Sequence, residues 1–144
     1  MAPKTSPEAN KRLVRRYPEE VASEGNVSLI DELCTTSVVD HSPLGEVHGR
    51  EDLKAQIETL RDAFGDFTAT VEDVVADGDT VAMRVTLRGT HRGEFMDIEA
   101  TGTSFEVGNT VFTRVDDGQI AERWVQPDVY GLLQQLGAVE VPEP

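Results

Sequence analysis

Asp116-Asp117-Gly118-Gln119-Ile120-Ala121-Glu122-Arg123-Trp124-Val125-Gln126-Pro127-Asp128-Val129-Tyr130-Gly131-Leu132-Leu133-Gln134-Gln135-Leu136-Gly137 reads as a hairpin turn, a strand and a short amphipathic helix in succession. Aspartate tolerates and glycine favours the positive φ of a tight hairpin, so residues 116–118 form the turn. Trp124, Gln126 and Asp128 are two residues apart, and a regular strand points all three to one face. Asp128 then stands beside a tryptophan where the strand gives way to a helix over 129–136. That position suits an acid/base group in an apolar pocket, and it equally suits an N-cap of the helix. Pro127 holds Gln126 in extended geometry and removes a backbone donor, so a bulge here would break the parity.

Upstream of the turn, the two-residue period continues. Phe105, Val107, Asn109, Val111, Thr113 and Val115 alternate in one long strand, and Val81, Met83, Val85 and Leu87 in another. Phe67, Ala69 and Val71 mark a third, joined to the second by the Asp77-Gly78-Asp79 turn. Residues 89–102 read as a loop carrying His91, Phe95 and Met96.

The N-terminal half has helical spacing instead. Ser6-Pro7-Glu8 opens a helix in which Leu13, Val14, Tyr17 and Val21 recur, with Gly25 beyond its end. Pro18 lies inside that pattern and predicts a kink or two shorter helices. A second short helix is expected over 27–34 and a third over 50–64, with His48 leading into it beside Gly49. The two valines of 35–43 suggest a short strand between them. Helices first, then an antiparallel meander, then a terminal helix indicate an α+β domain with helices on one face of the sheet. Length agrees: 144 residues suit one domain, with an ordered core over about 6–137.

Twenty-seven acidic residues face thirteen basic ones, a net charge of −14. Such a surface repels nucleic acid and anionic membranes, so neither is expected as a partner. Few lysines and scattered carboxylates suggest adaptation to high salt, where self-repulsion is screened within about 3 Å. The expected outcome is a higher melting temperature in molar KCl than in dilute buffer; equal values would end the halophilic reading. No membrane-length apolar run and no signal-like start are present, so a cytoplasmic location is expected by default. The single Cys34 forms no intrachain disulfide, and no Cys/His cluster has metal-ligand spacing.

Several segments then fall into a known order. They are Arg15-Arg16-Tyr17 with Glu19-Glu20-Val21, Val39-Asp40-His41-Ser42-Pro43, Gly89-Thr90-His91-Arg92-Gly93-Glu94-Phe95, Thr101-Gly102, and the closing stretch quoted above. In order and spacing, over about 6–137, the chain resembles the SnoaL-like polyketide cyclases, or ester cyclases, of the nuclear-transport-factor-2-like superfamily. The resemblance implies a cone-like fold in which a curved, mainly antiparallel sheet, three N-terminal helices and a short C-terminal helix enclose a deep pocket. It implies intramolecular aldol closure on a small hydrophobic carbonyl compound without metal or organic cofactor, and homodimers or homotetramers formed through the exposed sheet face. The aspartate that serves as general acid/base in the family falls on Asp128.

An unperturbed aspartate is a poor partner for either proton transfer, and burial against Trp124 is expected to raise its pKa. His41 is the second catalytic candidate, as a donor to a carbonyl oxygen, or a residue fixing the local turn through Asp40. Trp124 is expected in the pocket wall, with core packing as its alternative, and His91 at the pocket mouth or on the surface. Tyr17 belongs to the substrate-binding set, and Phe95 and Met96 form a flexible lid or an edge of the core. Arg114 and Arg123 are expected to be solvated or paired with carboxylates. The alternatives to a cyclase are a non-catalytic ligand-binding protein, or an isomerase or hydrolase on the same scaffold.

Overall fold

The computed structural model describes residues 6–140. Helix α1 (Pro7–Arg16) starts where the sequence places it: Ser6 Oγ accepts the Ala9 N–H at 3.1 Å, with Pro7 in the first turn. As Pro18 predicts, the helical stretch is divided into two shorter elements, and α1 ends at Arg16. The chain passes directly into a π-helical turn, Tyr17–Ala22, in which the Ser23 N–H reaches the Pro18 carbonyl at 3.1 Å. Pro18 has no N–H to give, and widening the turn by one residue accommodates that loss.

A 3₁₀ turn, Val27–Leu29, leads into α2 (Ile30–Leu33), and α3 (Arg50–Ala63) follows Gly49, whose φ of 86° favours glycine. Between these helices lie β1 (Cys34–Ser42), longer than the short strand expected, and β2 (Gly45–His48), which the sequence did not signal. His48 therefore ends a strand. The meander comprises β3 (Phe64–Asp77), β4 (Thr80–His91), β5 (Ser104–Asp116) and β6 (Gln119–Pro127), and α4 (Val129–Gln135) closes the described fold.

The six strands form one mixed, open sheet in the order β2-β1-β6-β5-β4-β3. Strands β3 to β6 are antiparallel neighbours, whereas β1 joins β6 in parallel. Helices α1 and α3, with the π-turn, pack on one face, so Val14, Val21, Leu53 and Ile57 meet Val38, Phe64, Met83 and Val85 in the core. Full burial of each such side chain contributes roughly 1.5–3 kcal/mol. The fold is α+β, as expected.

One irregularity decides which side chains face that core. In the β5–β6 ladder Val115 lies opposite Ile120 and Arg114 opposite Glu122, so Ala121 is an extra residue. Ile120 and Ala121 are both buried, and beyond this bulge the alternation reverses. Arg123 then points inward while Trp124 points outward. On the outer face Trp124 sits opposite Phe112, and both are partly exposed. Among the described residues no helix is long and apolar enough to cross a membrane.

Candidate active site

Between the helices and the inner face of the sheet lies a cavity with about 950 Å³ of empty space, its open mouth included. Its walls are mainly apolar. Phe64 is central to an aromatic group, with ring centroids 4.9 Å from both Phe95 and Phe105 and 6.4 Å from Phe67. The polar lining is concentrated in a few side chains, of which Tyr17, Asp40 and Arg123 are buried.

Those three form one unit. The parallel register of β1 and β6 sets Asp40 beside Arg123, and Arg123 Nη1 donates to Asp40 Oδ2 at 2.6 Å. The guanidinium carbon lies 3.9 Å from the centre of the Tyr17 ring, a close cation–π contact. Burial alone would disfavour the arginine charge, but the Asp40 carboxylate, together with Tyr17 and Cys34, outweighs it, so Arg123 stays protonated and its pKa rises. Burial likewise pushes the Tyr17 phenol above its ordinary value, with Arg123 only partly opposing the shift. The hydroxyl therefore stays neutral, and Tyr17 Oη is buried without a hydrogen-bond partner among the described residues.

Asp128 lies at the rim. It is the N-cap of α4, its Oδ1 accepting the Gly131 N–H at 2.8 Å, and its side chain contributes to the cavity lining beside Pro127 and Val129. Both readings of this residue are thus geometrically compatible. The expected burial against Trp124 is not found: Asp128 is exposed, and the indole belongs to the outer face. Gly131 leaves room for the carboxylate, because a Cβ there would lie 2.8 Å from Asp128 Cγ and collide with Oδ2. Gly131→Ala is therefore expected to displace the carboxylate. Alanine's helix propensity, worth about 0.5–1 kcal/mol over glycine, offsets the collision in stability. Steady-state kinetics alongside thermal melts would separate a catalytic carboxylate, whose displacement lowers turnover by up to about a hundredfold, from a cap alone, whose displacement leaves turnover unchanged.

The other expected site residues divide between the two faces. Tyr17 and Phe95 line the cavity. His41 and Trp124 do not. They are register neighbours on the outer face, their rings stacked with centroids 5.6 Å apart. His41 Nε2 lies 2.7 Å from Glu122 Oε2, a hydrogen bond that raises the His41 pKa and lowers that of Glu122. Met96 is displaced to the tip of a tight turn closed by mutual Phe95–Ile98 backbone bonds, where φ is 50° and the side chain is exposed.

His91 is neither at the mouth nor on the surface but fully buried. Its Nδ1 lies 3.2 Å from the Thr101 N–H and 3.0 Å from Thr101 Oγ1, contacts that tie down the following loop. Arg123, expected at the surface or in an ion pair, is paired but buried. Asp40 and Arg123 carry no site signal of their own in the sequence. A charged pair matched across two strands is a signal only after the bulge is known. Cys34 is also buried, which pushes its thiol up to about 11, so it stays protonated and is no nucleophile at neutral pH.

The profile of the SnoaL-like polyketide cyclases matches residues 11–136. The chain belongs to the SnoaL-like polyketide cyclase family. Among curated SnoaL-like relatives, the aklanonic acid methyl ester cyclase DnrD of Streptomyces peucetius is 30% identical over 129 residues, spanning 88% of this chain and 87% of DnrD. The crystal structure of IdmH of Streptomyces antibioticus is 34% identical with a TM-score of 0.78, covering 89% of this chain and 98% of IdmH. A Catenulispora acidiphila protein of ketosteroid isomerase-like fold shares the architecture at 18% identity, with a TM-score of 0.77 and coverage of 96% and 100%. This SnoaL-like chain therefore has the nuclear-transport-factor-2-like fold, with α4 and Asp128 inside the matched region.

Proposed function

We propose that this protein closes a ring in a hydrophobic, polyketide-derived carbonyl compound by cofactor-independent acid/base catalysis, with Asp128 as the proton carrier. The observation that carries the reading is a carboxylate held by the Gly131 N–H at the rim of a mainly apolar cavity. Ionised Asp128 takes a proton from the carbon next to one carbonyl. The resulting enolate carbon attacks a second carbonyl carbon of the same molecule, forming the C–C bond. The alkoxide oxygen then takes the proton back, so the product is an isomer of the substrate. Apolar walls favour this chemistry by excluding water from the enolate.

Incubation with aklanonic acid methyl ester, the compound in the name of the relative DnrD, provides the first test. A product of unchanged mass with one ring more supports the cyclase reading. Addition of one water's mass would instead favour a hydrolase, a second reading to which the buried Asp40–Arg123–Tyr17 cluster lends support. Binding without any change in the compound would favour a carrier.

A further inference from the structure

We propose that the floor of the cavity recognises an uncharged carbonyl oxygen, with the Tyr17 hydroxyl and the free edge of the Arg123 guanidinium as donors. Asp40 acts as the positioning residue for Arg123. Two independent features lead there. Tyr17 lines the cavity, and its Oη is buried with no partner among the described residues. A buried polar group is ordinarily paired, so an orphan on a side chain that lines a cavity marks a place for a ligand atom. Arg123 has five N–H donors, of which one is engaged by Asp40. No other hydrogen bond from its guanidinium to a described residue is present, although the side chain is only 7% exposed and borders the same cavity.

Charge then selects the ligand. Asp40 neutralises Arg123, so the floor has donors to offer but no net positive charge. An incoming carboxylate would meet the Asp40 charge across a poorly screened interior, whereas a ketone or quinone oxygen accepts hydrogen bonds without that repulsion. Tyr17, kept neutral by burial, adds a donor of the same kind. Four residue steps along the strand lead from Arg123 to Pro127, about 13 Å at the usual rise, so the recognised oxygen lies roughly that far from the Asp128 end. The inference uses the cavity of the cyclase reading and adds a ligand class: an elongated, mainly apolar molecule with a distal carbonyl besides the reacting ones.

The test compares three probes of similar shape by titration calorimetry: 2-acetylnaphthalene, 2-ethylnaphthalene and 2-naphthoate. The ketone is expected to bind at least about tenfold more tightly than the hydrocarbon, the scale of one charge-assisted hydrogen bond, and more tightly than the carboxylate. Tyr17→Phe keeps the ring under Arg123, and Arg123→Lys keeps a cation for Asp40. Each is expected to cut the ketone's advantage about fivefold or more, with the hydrocarbon's affinity unchanged and a native circular dichroism spectrum. Equal binding of ketone and hydrocarbon overturns the proposal. So does an advantage that survives both substitutions, tightest binding of the naphthoate, or no binding of any probe to folded protein. Asp128→Asn should leave the ketone preference intact, so failure of the cyclase reading would be distinguishable from failure of this site.

Discussion

Asp128→Asn is expected to lower turnover by about 10²- to 10⁴-fold, the usual contribution of a positioned acid/base group, while leaving the melting temperature nearly unchanged. The separation is possible because asparagine and aspartate are comparably good N-caps. The Gly131 N–H that donates to Asp128 Oδ1 finds an equivalent oxygen in the variant. Proton transfer has no such substitute. Asp128→Ala removes both roles, and its melting temperature is expected to fall by the additional loss of the cap, about 1 kcal/mol. Kinetics and melts on the pair of variants separate the roles. Full turnover in Asp128→Asn would reduce this residue to a cap and transfer the search for the acid to Asp40.

The largest effect on stability is expected at the cavity floor. Arg123→Met leaves Asp40, only 2% exposed, without its counter-ion. Breaking a buried pair from one side typically costs about 3–5 kcal/mol. At roughly 2–4 °C per kcal/mol for a domain of this size, the melting temperature should drop by roughly 6–20 °C. The double variant Asp40→Asn with Arg123→Met should recover most of that loss, because the desolvation cost disappears with both charges. A double-mutant cycle by denaturant melts decides the matter: additive losses would show that the two side chains are not energetically coupled.

Most of the scaffold was legible from alternation and caps. The strands around Val81–Val85 and Val107–Val115 carry uninterrupted two-residue periods, and Ser6 and Gly25 bracket the first helix. The faces of the site were less legible, for local physical reasons. Counting back from Asp128 by twos groups it with Gln126 and Trp124, and all three are indeed exposed. That grouping lies outside the core because the extra residue at Ala121 exchanges the faces beyond Ile120. In β1, adjacent Val38 and Val39 satisfy either parity, so nothing local says that Asp40 rather than His41 turns inward. Asp128 reaches the rim because the strand ends before it, at Pro127. His91 was misplaced because its hydrogen-bond partner Thr101 lies across a loop whose path is set by tertiary contacts. Pro18 was legible as a disruption, but the π-turn that absorbs it depends on the packing of Tyr17 and Val21.

The parallel docking of β1 against β6 has a kinetic consequence. Asp40 and Arg123 are 83 positions apart, whereas the β3–β4 and β5–β6 hairpins of the meander are each closed by a short turn. Loop-closure entropy is lost before so distant a contact can offset it, so the local hairpins are favoured early and the cavity floor late. On that order, Arg123→Met should speed unfolding far more than it slows refolding, with the change confined mainly to the unfolding arm of its chevron. A change mainly in the refolding arm would instead place the floor in the folding nucleus.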